Sequence, residues 1–222
     1  MPEAVLFDMD GLMFDTERLG LEGWHAAARI LGISIPDTVI AGMRGTGVPE
    51  SRALFNARIP GNLYDTARKL RVDYADAWIL RNGVPVKPGL EELLRWLRDR
   101  NIPAALATST CREKALRYLD MAGVEQWFSA FCFGPEVARA KPAPDIFLAA
   151  AEKLKADPRR CVVLEDSPNG LRAARAAGCF AIVIPDLTPA PPESEQLWDA
   201  RADTLAGVIP ILEKEYLMEE GA

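Results

Sequence analysis

Residues 8 to 11 are the first in the chain whose types and spacing could do chemistry. The apolar run Val5-Leu6-Phe7 ends in Asp8-Met9-Asp10-Gly11. On an extended chain, side chains at i and i+2 point the same way, so Asp8 and Asp10 place two like charges on one face. That repulsion must be offset by a cation or used in a reaction. Further along stand Thr108-Ser109, Lys141 and Glu165-Asp166. Carboxylates gathered with one lysine suit a magnesium-bound phosphate, because magnesium takes carboxylate and water oxygens and bridges to phosphate. Asp8 and Asp166 are the expected ligands, with Glu165 reaching the ion directly or through water. Thr108 or Ser109, with nearby backbone amides, can donate to phosphate oxygens, and Lys141 can neutralise the remaining charge.

These residues can act together only if the fold delivers them to one place. The pattern predicts a strand over Ala4–Phe7, then a helical stretch over 16–83 without a convincing strand. Thr16 is placed to cap a helix holding Leu19, Leu21, Trp24, Ala27 and Leu31, which Gly32 stops. Further helices are expected around 49–57 and 63–81, with the glycine-rich turn Met43-Arg44-Gly45-Thr46-Gly47 before them. After Pro85–Pro88 strands and helices alternate. Leu90, Leu93, Leu94 and Leu97 mark an amphipathic helix. Strands follow at Ile102–Ala107, Ala130–Phe133, Cys161–Leu164 and Ala181–Ile184, separated by helices, and a proline-rich loop covers 185–192. Such alternation implies a parallel sheet with helices on both faces, whose ligands sit beyond the carboxyl ends of the strands. Asp8/Asp10, Thr108/Ser109 and Glu165/Asp166 follow three of those strand ends, and Lys141 lies on the way out of a fourth.

Composition excludes other classes. The chain has 222 residues, 49% hydrophobic and 26% charged, with a net charge of −6. An acidic chain of this kind has no footprint for nucleic acid or an anionic membrane. No apolar run approaches the roughly 20 residues that span a bilayer, and the expected location is cytoplasmic. With one histidine, His25, a zinc site or a Ser-His-Asp triad is nearly excluded. Cys132, Cys161 and Cys179 fall in or beside predicted strands and read as small core residues.

Asp8-x-Asp10-Gly11, Thr108-Ser109, Lys141-Pro142 and Glu165-Asp166 resemble, in order, the four motifs of the haloacid dehalogenase-like hydrolases. Within that superfamily Phe7–Leu12, Asp15-Thr16-Glu17, Lys141–Phe147 and Glu165–Gly170 look like the β-phosphoglucomutase-like branch. The likeness covers nearly the whole chain. It implies an α/β fold, a Rossmann-like parallel sheet core (1–14 and 85–222) with an inserted helical cap domain (15–84). It also implies a magnesium-dependent phosphatase of small phosphomonoesters, sugar phosphates foremost. Asp8 is then the nucleophile that forms an aspartyl-phosphate and Asp10 the general acid/base. Thr108, Ser109 and Lys141 bind phosphate, and Asp8, Asp10 (through its backbone carbonyl), Glu165 and Asp166 bind metal. Arg18 and Arg44 are the cap residues expected to contact substrate. The implied partner is a small phosphorylated metabolite, and a monomer is favoured.

Three alternatives stand beside this reading. Mutases of this branch typically carry a histidine a few residues after the Asp-Thr pair and a cap arginine after Lys-Gly. Here Gly20 and the run Arg44-Gly45-Thr46-Gly47-Val48 depart from that pattern, which favours a phosphatase. A dehalogenase normally omits the second aspartate, Asp10. A non-catalytic binding protein on the same fold would have no physical reason to keep costly clustered charge.

Overall fold

The computed structural model describes residues 1–44, 46–187 and 192–217; Gly45 and residues 188–191 of the proline-rich loop lie outside them. The chain divides into two units, Met1–Phe14 with Val86–Ala222, and Asp15–Pro85.

In the first unit the strands, among the described residues, are β1 (Ala4–Phe7), β2 (Ala104–Thr108), β3 (Ala130–Phe133), β4 (Cys161–Glu165), β5 (Phe180–Val183) and β6 (Ala200–Arg201). They form one sheet in the order β3-β2-β1-β4-β5-β6, with every pairing parallel. β1 is central: Val5 pairs with Ala104 on one side and Val162 on the other. Because helices cover both faces, strands such as Ala4-Val5-Leu6-Phe7 are buried at every position and show no alternation. Sequence order and parallel pairing together bring the carboxyl ends of β1, β2, β3 and β4 to one edge.

The second unit holds α1 (Thr16–Leu31), α2 (Asp37–Met43), α3 (Val48–Asn56) and α4 (Tyr64–Asn82). Its core gathers Trp24, Ala27, Ile40, Phe55, Ile59 and Tyr64. The α1 cap position belongs to Asp15, not Thr16, and no side-chain bond caps the helix. The Asp15 carboxylate is engaged by Arg18 Nε at 2.7 Å instead. Gly32, at φ +64°, ends α1 as expected, since a left-handed residue there lets two backbone carbonyls be satisfied. His25 Nε2 lies 2.8 Å from Asp37 Oδ1, a tie between α1 and α2.

The remaining helices belong to the first unit: α5 (Leu90–Asp99), α6 (Arg112–Ala122), α7 (Asp145–Leu154), α8 (Pro168–Ala177) and α9 (Val208–Leu217). α5 buries Leu90, Leu93, Leu94 and Leu97, the spacing the sequence displays. β6 and α9 are additional to the expected elements. Cys132, Cys161 and Cys179 are buried. Burial pushes the Cys161 thiol up to about 11 and the Cys179 thiol up to about 12, so both are inert core groups at neutral pH. Among the described residues no helix is long and apolar enough to cross a membrane.

Candidate active site

Most polar groups at the sheet edge follow directly from a buried strand, and strand rigidity fixes them. Asp8 follows β1 and Glu165 ends β4, where the backbone N–H of Asp8 donates to the Leu164 carbonyl at 3.1 Å. Lys141 arrives on the segment after β3, and its peptide bond to Pro142 is cis. Its ammonium joins three elements at once, donating to Asp8 Oδ1 at 2.6 Å, Glu165 Oε1 at 2.7 Å and the Ala107 carbonyl at 3.1 Å. It also stands 4.8 Å from the centre of the Phe147 ring.

Burial makes these charges matter. Glu165 is fully buried and Asp8 is 8% exposed. Burial pushes the Asp8 carboxyl up to about 7; the Lys141 ammonium works against this, and the Glu165 and Asp10 charges add to it. For Lys141, burial alone would lower the value, but Asp8 and Glu165 outweigh it and hold the amine above the ordinary lysine range. Lys141 is therefore a permanent cation wedged between two carboxylates.

Glu165 differs from its neighbours in how fully it is engaged. Oε1 accepts from Lys141, while Oε2 accepts from the backbone N–H of Asp166 at 3.0 Å, the N–H of Ser167 at 2.9 Å and the Ser167 hydroxyl at 3.0 Å. Ser167 in turn caps α8, its oxygen accepting from the Gly170 N–H at 3.1 Å. Glycine is required at 170, because a Cβ there would overlap the Glu165 carboxylate. Gly170→Ala is accordingly expected to displace Glu165 and cost ~2 kcal/mol, which thermal unfolding followed by circular dichroism would register as a fall of roughly 5 °C.

Oxygens of Asp8, Glu165 and Asp166 lie within 4.8 Å of one another, a set able to hold a metal ion. Hard carboxylate oxygens in a largely buried pocket suit magnesium or a similar divalent cation. Since four donors already occupy Glu165, the carboxylates best placed to bind an ion are those of Asp8 and Asp166, with Glu165 anchoring Lys141 and the loop. The Asp10 side chain is outside that set, and its Oδ2 accepts from Thr110 Oγ1 at 2.7 Å. Thr108 is buried and its oxygen accepts from the Thr110 N–H at 3.1 Å, while Ser109 is exposed. The edge thus brings together Asp8, Asp10, Thr108, Lys141, Glu165 and Asp166.

Gly11, at φ +83°, closes this loop tightly. A Cβ there would strike the Asp166 carboxylate and stand 3.3 Å from Asp186 Oδ2. Thr110 and Asp186 were not singled out by the sequence. The available signal was position alone: each stands within three residues of a strand end at the same edge.

The helical unit carries a cavity of about 220 Å³, lined in part by Gly20, Trp24, Arg44, Tyr64, Arg68 and Arg71. A Cβ at Gly20 would meet the Arg71 guanidinium, which occupies the space beside it. Arg18 is not among the lining residues; its guanidinium is bound by Asp15 and by Glu22 at 2.7 Å.

Comparison with known proteins places this geometry among relatives. The haloacid dehalogenase-like hydrolase family matches residues 2–178. A phosphorylated carbohydrates phosphatase from Thermotoga maritima is 36% identical over 220 residues, which are 97% of this chain and 96% of that protein. CbbY from Rhodobacter sphaeroides, solved in complex with phosphate, has a TM-score of 0.75 at 29% identity, covering 93% of this chain and 96% of that one. A β-phosphoglucomutase from Clostridium difficile shares the fold, with a TM-score of 0.74 at 23% identity over 98% of this chain and 100% of that one.

Proposed function

Because the chain belongs to the haloacid dehalogenase-like hydrolases, an enzyme family whose aspartate cluster it carries, we propose that it is a magnesium-dependent phosphatase. Its substrates are small phosphomonoesters, sugar phosphates foremost. One observation carries the reading. A single buried lysine is bonded to Asp8 and Glu165 together, beside Asp166, at the carboxyl edge of a parallel sheet. That arrangement keeps a carboxylate nucleophile next to fixed positive charge and to a cation site, where a phosphate dianion can be accepted.

Asp8 and Asp166 would hold the magnesium, which when bound would supply charge neutralisation of the phosphoryl oxygens. The chain's own groups do the rest. An Asp8 oxygen attacks phosphorus while the ester P–O bond breaks, giving an aspartyl-phosphate. Asp10, oriented by Thr110, gives its proton to the departing alkoxide oxygen. It then takes a proton from the water that attacks phosphorus, and the bond from Asp8 to phosphorus breaks to release inorganic phosphate. Lys141 holds Asp8 throughout, and Thr108 and Ser109 line the phosphate.

Selection among substrates is assigned to the cavity of the cap. Arg44, Arg68 and Arg71 offer fork-shaped donors, and the paired hydroxyls of Thr46 and Ser51, 2.7 Å apart, add groups suited to a polyhydroxyl ligand. Arg18, fastened to Asp15 and Glu22, is better suited to holding the cap together. Gly20 stands where mutases of this branch typically carry a histidine, which supports hydrolysis over isomerisation.

The test is release of inorganic phosphate from a panel of sugar and nucleoside monophosphates, with and without magnesium. The panel includes β-glucose 1-phosphate, with glucose 6-phosphate monitored. Magnesium-dependent release, best on a sugar phosphate, is expected. Isomerisation without release would make the chain a mutase, and no turnover on any ester would sink the phosphatase reading.

A further inference from the structure

Asp186 follows β5 by three residues and belongs to neither the sequence motifs nor the cation set. Its side chain is only 8% exposed. Lys87 donates to Oδ1, but Oδ2 is buried and, among the described residues, has no hydrogen-bond partner. A buried carboxylate oxygen without a donor is costly, so its surroundings have to supply one. Oδ2 faces the notch over Gly11. The point where a Cβ of residue 11 would stand lies 3.3 Å from Asp186 Oδ2 and within contact of Asp166 Oδ2. Two carboxylate oxygens therefore lie close together beside Gly11, and a group that satisfies them donates hydrogen bonds. Water attached to a divalent cation does so strongly, and magnesium keeps several of its waters when protein binds it.

We infer that Asp186 is a positioning residue of the cation site. Its Oδ2 accepts a hydrogen bond from water carried by the cation at Asp8 and Asp166, and Lys87 fixes its other oxygen. Asp186 does not ligate the ion directly, consistent with its absence from the set of oxygens within 4.8 Å. Partners at this remove typically change metal affinity 10- to 100-fold. The inference rests on the magnesium-dependent reading above.

The test uses Mn²⁺ in place of Mg²⁺, because free Mn²⁺ is read directly by electron paramagnetic resonance in the absence of substrate. Wild type, Asp186→Asn and Asp186→Ser are titrated, and each is melted in EDTA. The expected result is a Kd for Mn²⁺ raised about tenfold in both variants, whatever change the loss of the Lys87 pair makes to the metal-free melting temperature. A Kd within twofold of wild type in both variants would overturn the inference, as would lower melting in EDTA with unchanged affinity, since Asp186 would then serve only to pair Lys87. Should Asp186→Asn not fold, Asp186→Ser decides by the same titration. Wild type that binds no Mn²⁺ would instead defeat the cation site itself, an outcome separate from the other two.

Discussion

Asp8→Asn is expected to abolish turnover, by at least about 10⁴-fold in kcat, as removal of a covalent nucleophile does in other hydrolases. The amide keeps the shape of Asp8 at the end of β1 but cannot attack phosphorus, and Asp10 has no equivalent role to fall back on. The same substitution is expected to stabilise the metal-free protein above neutral pH. In the folded chain burial holds the Asp8 carboxyl up to about 7, against an ordinary value of 3.8. Folded protein therefore binds more protons than unfolded protein between those values, so stability falls as pH rises from about 4 to about 7 and stays reduced above. Asparagine removes that dependence, and Lys141 keeps Glu165 as a charged partner at 2.7 Å. At pH 8 in EDTA the variant should melt roughly 3 °C above wild type, with the gap shrinking toward pH 4. Phosphate-release assays and melting curves across pH check both halves. Residual activity within a hundredfold of wild type would reject Asp8 as nucleophile, and a gap that widens toward acid would reject the burial argument. Opposite signs in activity and stability are what a charge placed for chemistry should give.

Much of this site was legible because parallel strands report themselves twice, as apolar runs and as the polar residues that end them. Asp8, Thr108 and Glu165 each follow or close such a run, and sequence order alone sufficed to group them. Lys141 was legible by its place after β3, yet nothing in its neighbourhood says that its ammonium bonds Asp8 and Glu165 together; that is a fact of three dimensions. Asp186 and Lys87 were missed for a related reason. They are 99 residues apart and neither sits in a motif, so only their pairing across the core gives them meaning. β6 has two residues, too few to show a strand pattern, and α9 follows it where the amphipathic signal is weaker than in α5. The start of α1 turned on competition for one side chain. Asp15 and Thr16 are both capping types, and Arg18 draws the Asp15 carboxylate away from the helix N–H groups.

Lys141→Met is expected to damage both stability and turnover, and the pH dependence separates it from ordinary loss of packing. Methionine fills a similar volume, so the space beside Phe147 stays occupied. What is lost is the ammonium that donates to Asp8 Oδ1 and to Glu165 Oε1, with both carboxylates buried. Breaking a buried ion pair from one side typically costs 3–5 kcal/mol, because the remaining charge is left uncompensated. For a chain of this size that is a fall of roughly 10 °C in melting temperature. The ammonium is what opposes the upward push of burial on Asp8, so without it Asp8 ionises at higher pH than before. Extra protons bound by the folded state mean that the loss deepens as pH rises, so the deficit at pH 8 in EDTA should exceed that at pH 5. Turnover should fall by about 10²–10³, the scale seen when one donor to developing charge is removed. Lys141→Arg should not restore it. A planar guanidinium cannot direct donors to Asp8, Glu165 and the Ala107 carbonyl from the point where one ammonium now reaches all three. Melting curves at pH 5 and pH 8 in EDTA, with kcat for both variants, decide the matter. A methionine variant equally destabilised at both pH values would mean that Lys141 acts through packing, and an arginine variant with full activity would mean that any cation at this edge suffices.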